Sequence, residues 1–451
     1  MPSLSIASLL NFLSLKTKSV PHKIGIVSLG CAKNLVDTEL LMKQLDASFF
    51  QIILDPVAKD NIDAAIINTC GFILDAKNES IETILQFIKA KTEGRLKSVY
   101  VMGCLSERYR YQLAKELPEV DAFFGVNELS RIVARVGAKF RKDLLGERLL
   151  ATPSHYAYLK IAEGCDRHCS FCSIPAIRGK HISRHIDEII QEGATLAAKG
   201  VKEINVIAQD TTYYGIDLYK KRMLPELLER LSDIPGLEWI RLHYTYPDGF
   251  PEEVLEVIKK HDNICKYIDI PLQHISSRIL RSMNRGIDKE KTLTLVSLIR
   301  KQLPHGVIRT TLITGYPGET PEDFRELKEF IDTCRFDRLG VFTYSHEEGT
   351  AAYSLKDSIP QKIKQERAEI LMELQQDISL SLNKRRVGSY MKVVIDAEEN
   401  DFYIGRTEFD SPEIDNEVLI PREPEKLEIG HFYKAYITEA DNFDLYAEIK
   451  G

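Results

Sequence analysis

Three cysteines within nine residues, GCDRHCSFC at 164–172, constrain this chain more than any other feature. Their spacing is C-x3-C-x2-C, on a loop that follows the strand-like run YAYLKIA (156–162). Thiolates so close in sequence chelate a metal centre at little cost in loop closure. A four-iron cluster takes four ligands, so three cysteines leave one iron open to a cofactor or substrate. The alternative is zinc, with His168 or a distant residue as fourth ligand. Zinc knuckles usually pair two C-x2-C units, and no second pair lies nearby. Phe171 adds an apolar neighbour, which suits a cluster whose potential depends on burial.

Eight cysteines occur in all. Cys31, Cys70 and Cys104 each close a strand-like run (KIGIVSLG at 23–30, AAIINTC at 64–70, SVYVMGC at 98–104) and each lies beside a glycine, Gly30, Gly71 or Gly103. Helical stretches between the runs imply parallel βαβ units. The carboxyl ends of such strands line one crevice, so the three thiols are expected to converge there, with glycines admitting backbone close to a bulky cluster. A single cysteine in such a place reads equally as a small buried hydrophobe, and that is the reading for Cys265 and Cys334. Recurrence at three equivalent strand ends favours ligation.

The expected fold class is α/β with a C-terminal all-β domain. The 451 residues exceed one ordinary core. A parallel α/β domain is expected over 22–140. Over 153–380, six candidate strands (156–162, 203–209, 238–244, 267–270, 307–314 and 338–344) alternate with helices, as in a partial (β/α)6 barrel. A long surface helix follows Pro360, and 384–451 changes to five short strands, which fit a small β-barrel of the oligonucleotide-binding type. No apolar run reaches the roughly 18 residues that span a bilayer. The segment 1–21 is mildly apolar without a charged start or a small-residue cleavage site, so it is expected to be an extension rather than a targeting signal. A cytoplasmic location follows, where thiols stay reduced.

With these residues in view, the chain resembles the radical S-adenosylmethionine methylthiotransferases over nearly its whole length. C-x3-C-x2-C is the superfamily hallmark. SLGCAKNLVDTE (28–39), INTCGFILDAKNES (67–80) and MGCLSE (102–107) match the family's amino-terminal domain, and 384–451 looks like its TRAM domain. LGCAKNLVD, EGCDRHCSFCSIPAIRG, QDTTYYG, RLHYTYP, YIDIPLQH, LITGYPGET and GRTEFDSPEID point to the branch that modifies an aspartate of ribosomal protein S-twelve. The tRNA-modifying relatives typically read GCQMN where this chain reads GCAKN. Ala32 departs from a proline frequent in that branch and leaves every cysteine in place.

The resemblance implies two [4Fe-4S] clusters. The one on Cys165, Cys169 and Cys172 would bind S-adenosylmethionine, and an auxiliary one on Cys31, Cys70 and Cys104 would deliver sulfur. S-adenosylmethionine would serve as both radical source and methyl donor, and the product would be a methylthio group on an aspartate β-carbon. Gln209, Asp210 and Glu319 follow the second and fifth barrel strands and are expected in the S-adenosylmethionine pocket, a structural turn role being the alternative. Arg178 and Arg184 are candidates to hold a carboxylate or plain surface residues, His274 is read as structural, and no catalytic acid or base is assigned.

The expected partners are ribosomal protein S-twelve, free or on the ribosome, an external electron donor and a sulfur source, with no membrane. Residues 384–451 hold nine Lys plus Arg against sixteen Asp plus Glu and so account for the whole net charge of −7. A barrel of that sign repels phosphates and suits a basic protein. The competing functions are a tRNA adenosine methylthiotransferase and a non-catalytic, metal-dependent module on ribosome or RNA.

Overall fold

The computed structural model describes residues 23–144, 146–423 and 426–449, so the expected extension 1–21 lies outside the described residues. The chain divides into two compact units between Leu149 and Leu150, with Phe72–Leu74 grouped with the second.

In the first unit, β1 (Lys23–Ser28), β2 (Gln51–Leu54), β3 (Ala64–Thr69), β4 (Ser98–Gly103) and β5 (Ala122–Phe123) form a sheet in the order β2-β1-β3-β4-β5. Every pair is parallel. Helices α1 (Ala32–Asp46), α2 (Leu74–Thr92) and α3 (Cys104–Glu116) follow β1, β3 and β4. β3, AAIINT, is buried throughout, as a central parallel strand with helices on both faces must be. β2 and β5 are additional to the three strands legible in the sequence. One is a four-residue, partly exposed strand and the other has only two residues, and such short edges carry little periodic signal. Strand order reverses between β1 and β3, the switch point where open α/β sheets bind ligands.

The second unit holds β6 (Tyr156–Lys160), a two-stranded ribbon of β7 (Ala162–Glu163) with β8 (Ile182–Ser183), then β9 (Glu203–Ile207), β10 (Trp239–Leu242), β11 (Ile264–Asp269), β12 (Val307–Thr314) and β13 (Arg338–Thr343). Apart from the ribbon, these strands form one parallel sheet in sequence order, β6 through β13, as a partial (β/α)6 barrel does. One face is apolar: Leu159, Ile204, Val206, Ile240, Leu242, Ile268 and Leu312 pack under the surrounding helices in a single core. The opposite face is polar. The register aligns Tyr158 with Asn205 and Asn205 with Arg241, and it aligns Asp269 with Arg309 and Arg309 with Arg338. A 24-residue helix, Gln361–Lys384, then leads to a closed barrel of β14 (Tyr390–Glu399), β15 (Phe402–Thr407), β16 (Val418–Pro421), β17 (Phe432–Ala440) and β18 (Leu445–Ile449).

The small barrel belongs to the same compact unit as the six-stranded sheet because its loop 407–416 meets the polar face. Arg406, 3% exposed, donates to Glu203 at 2.9 Å and to Asp396 at 2.5 Å. Arg241, fully buried, donates to Glu203 at 3.0 Å and to the Glu408 carbonyl at 2.7 Å. Arg338 pairs with Asp410 (2.9 Å), Arg309 with Asp415 (3.3 Å), and the Tyr267 hydroxyl donates to Asp415 (2.6 Å). The acid excess of 384–451 is therefore partly consumed within the molecule. Glu398, Glu399, Asp401, Glu417 and Glu423 remain exposed, so an acidic outer face persists, weaker than the sequence count implies.

Burial alone would raise the pKa of Glu203, Asp396 and Asp410. Arg406 beside the first two and Arg338 beside the third outweigh it and hold these carboxyls below their ordinary values of 4.5 for Glu and 3.8 for Asp. A depressed folded-state pKa contributes stability above the unfolded value and loses it as pH falls through the folded one. Calorimetric scans should therefore show Tm flat near neutrality and falling once pH drops below about 4.5, where Glu203 would titrate in the unfolded chain. Arg406→Met, which leaves Glu203 to Arg241 alone and Asp396 with only His155, should cost about 3–5 kcal/mol at neutral pH and flatten that acid limb.

Candidate functional site

The loop 164–181 leaves the sheet after β6 and is closed at its neck by the β7–β8 ribbon, with Cys165 N–H donating to the Gly179 carbonyl at 3.1 Å. Within it the Cys172 N–H donates to the Cys169 carbonyl, and Ser170 ties the loop to the Ser282 carbonyl (2.9 Å) and to the Tyr316 hydroxyl (2.8 Å). Phe171 packs with Ile279, Met283, Tyr316, Tyr344 and Ala352, forming an apolar backing for the loop. His168 is exposed.

Cys165, Cys169 and Cys172 are free thiols that feel one another's charge. Burial pushes Cys165 up to about 11 and Cys172 up to about 12. Thiols this desolvated become thiolates when a metal centre supplies the compensating charge. Among the described residues no group of three or more His, Cys, Asp or Glu is set to grip a single metal ion. The fit to a cluster rests on the donor set and its surroundings: three thiols on a constrained loop with an apolar backing, and N–H donors on the sulfurs. The Arg167 N–H points at Cys165 Sγ (3.4 Å), Arg285 Nη1 donates to Cys169 Sγ (3.2 Å), and the Tyr246 hydroxyl stands 3.3 Å from that same sulfur.

The end of β9 faces this loop. Gln209 Nε2 donates to Glu163 (2.8 Å), while its buried Oε1 has no partner among the described residues. Asp210 is 1% exposed and is held by Arg167 Nε (2.8 Å) and the Thr212 hydroxyl (2.5 Å), so it fixes the cysteine loop to the strand end. Glu319 turns inward: it accepts the Gly315 N–H (2.8 Å) and pairs with Arg367, so it shapes the GYPGE turn. Arg178 pairs with Glu163 (2.9 Å) and Arg184 with Glu192 (2.7 Å), both structural ties. His274 is fully buried, its Nδ1 accepting two backbone N–H groups. Cys265 is a core thiol beside Trp239, Tyr267 and Val307, and Cys334 is half-buried against the barrel core.

In the first unit the strand ends of β1, β3 and β4 are neighbours, which brings Cys31, Cys70 and Cys104 to one side of the sheet. Cys31 is the N-cap of α1 and Cys104 opens α3. Helix N-termini carry partial positive charge that favours thiolate. The backbone packs tightly here. A Cβ on Gly30 would stand 2.7 Å from Cys70 Cβ, and one on Gly71 would meet Leu105 Cα at 2.6 Å. Asn34, one turn into α1, ties the strand ends together: its Nδ2 donates to the Leu29 (2.9 Å) and Thr69 (3.0 Å) carbonyls, and Cys104 Sγ lies 3.5 Å from its Oδ1. Asn34, Arg167, Tyr246 and Arg285 were not singled out from sequence. The first three sit inside motifs quoted above, but nothing in composition or spacing marks which motif residue touches a thiol.

The open parallel barrel with its half-buried cysteine loop, followed by a closed β-barrel, defines a radical S-adenosylmethionine enzyme. The chain matches the Radical SAM superfamily over 159–331, an uncharacterised family, UPF0004, over 23–125, and the TRAM domain over 387–449. It is 55% identical over 429 residues, 95% of this chain and 99% of the relative, to the ribosomal protein uS12 methylthiotransferase RimO of Phocaeicola vulgatus. It is 53% identical over 435 residues, 96% of each chain, to the protein of the same name from Christiangramia forsetii. Among solved structures it resembles in fold the radical S-adenosylmethionine methyltransferase TsrM of Kitasatospora setae (TM-score 0.51, 16% identity, 71% of this chain and 75% of that one). The chain belongs to the RimO family of radical S-adenosylmethionine methylthiotransferases.

Gly103 has φ +97°, and a Cβ there would fall 2.3 Å from Asn68 Oδ1 and 2.6 Å from the Thr69 carbonyl. Gly103→Ala should lower the unfolding free energy of the first unit, read from urea titration, by more than the ~1–3 kcal/mol of backbone strain alone. Gly94→Ala, with φ +75° and nothing within 4 Å of the added carbon, isolates that strain and should cost less.

Proposed function

We propose that this enzyme transfers a methylthio group to the β-carbon of an aspartate in ribosomal protein uS12, and that it does so with two [4Fe-4S] clusters. The observation that carries the reading is the half-buried C-x3-C-x2-C loop in a chain aligned over 95% of its length with uS12 methylthiotransferases. Held there, S-adenosylmethionine and a cluster would supply radical chemistry at the target carbon, and a second cluster would supply the sulfur.

The chain's residues hold and orient these groups. Cys165, Cys169 and Cys172 ligate the first cluster, and Cys31, Cys70 and Cys104 the second. Three ligands at each leave an open iron. The unpartnered Gln209 Oε1 would accept a hydrogen bond from a donor on bound S-adenosylmethionine, while Asp210 and Glu319 fix the walls through Arg167 and Arg367. The apolar backing around Phe171 excludes water from a reactive radical. The acidic outer face of the TRAM barrel steers a basic protein substrate. No helix among the described residues is long and apolar enough to cross a membrane.

Anaerobically reconstituted protein should contain about eight irons per chain, with matching sulfide. The reduced enzyme should add the methylthio mass to a uS12 peptide and leave tRNA unmodified; modification of tRNA alone would sink the substrate reading. Cys169→Ala should abolish S-adenosylmethionine cleavage. Cys70→Ala should retain cleavage and lose sulfur insertion, and equal behaviour of the two variants would remove the division of labour between the clusters.

A further inference from the structure

Tyr246 and Arg285 form a cation–π arrangement at the cysteine loop, with both side chains reaching Cys169 Sγ. Two guanidinium groups pack on the Tyr246 ring, Arg167 with its Cζ 4.0 Å and Arg285 with its Cζ 4.2 Å from the centroid. The two arginines differ in their partners. Arg167 is matched by carboxylates, Asp210 at 2.8 Å and Asp248 at 3.1 Å. Arg285 is 4% exposed, and among the described residues no carboxylate pairs with it and its Nε has no hydrogen-bond partner. Its Nη2 donates to the Pro271 carbonyl at 2.5 Å, and its Nη1 donates to Cys169 Sγ at 3.2 Å. The Tyr246 hydroxyl has one proton and two acceptors in reach, the Arg285 carbonyl (3.1 Å) and the same sulfur (3.3 Å).

A buried guanidinium without a counter-charge is costly, by several kcal/mol. The anion that Arg285 meets is the sulfur of Cys169 once that residue is a thiolate. Hydrogen bonds to ligand sulfurs and nearby positive charge are the means by which proteins set cluster potentials. They favour the state with more negative charge, which is the reduced one.

We propose that Arg285 and Tyr246 are positioning residues that raise the reduction potential of the cluster held by Cys165, Cys169 and Cys172, easing its one-electron reduction. The inference rests on the ligand reading above. One electron enters from an external low-potential donor, the cluster's charge falls by one, and no proton need move, because Arg285 and Tyr246 respond by tightening existing hydrogen bonds to sulfur. Ring stacking on Tyr246 holds the Arg285 fork at the sulfur, so the two act together.

The test is a redox titration of the reconstituted full-length protein with dithionite, following by electron paramagnetic resonance the reduced-cluster signal that S-adenosylmethionine alters. Tyr246→Phe keeps the ring and removes only the hydroxyl; Arg285→Met removes the charge, and Arg285→Lys restores part of it. The expected result is a midpoint shifted to more negative potential in Tyr246→Phe and further in Arg285→Met, with partial return in Arg285→Lys and iron content unchanged. Parent-like midpoints at full iron content would reduce the arrangement to packing. Loss of iron from Tyr246→Phe would also overturn the proposal, assigning the hydroxyl to cluster retention. A parent protein with no S-adenosylmethionine-responsive signal would instead refute the ligand reading itself.

Discussion

Glu203 stands at the start of the second barrel strand, β9, with two guanidinium groups on it, Arg241 from the next strand and Arg406 from the small C-terminal barrel. All three are buried. The rest of the second unit depends on this arrangement, because a parallel sheet with one polar face needs something polar to cover it. The loop 407–416 does so, bringing Asp410 and Asp415 to Arg338 and Arg309 and its own carbonyls to Arg241. Buried ion pairs of this kind add little net stability over an apolar equivalent, but they punish misalignment because a stranded charge is worse than none. They fix where the small barrel sits on the large one.

That positioning changes how the small barrel's acidity is understood. Part of the excess neutralises arginines of the larger barrel, and the remainder faces outward. On the proposed reading, steering of a basic substrate would rest on exposed groups such as Glu398, Glu399 and Asp401 rather than on the whole count.

At the carboxyl end of the same strands the problem is opposite in sign. At the proposed cluster sites the structure places donors on the thiols: Arg285 and Tyr246 at Cys169, the Arg167 N–H at Cys165, and, in the first unit, helix N-termini at Cys31 and Cys104. Asp210 links the loop to the strand end through Arg167, so the cysteine loop is anchored by ionic contacts as well as by its ribbon.

The six strands of the partial barrel and the five strands of the small one were legible in the chain, because β-branched runs alternating with helices, or with polar turns, leave a periodic trace. So were the cysteine loop, through its spacing, and the strand-end placement of Cys31, Cys70 and Cys104. The short edges β2 and β5 left no such trace. What only the tertiary structure decided is which polar residues meet. Glu203 and Arg406 lie 203 positions apart, and Cys169 and Arg285 lie 116 apart. A polar residue in a strand reads as solvated until the surface covering it is known. Local sequence thus determined the elements and the thiols, while long-range packing determined the charges around them.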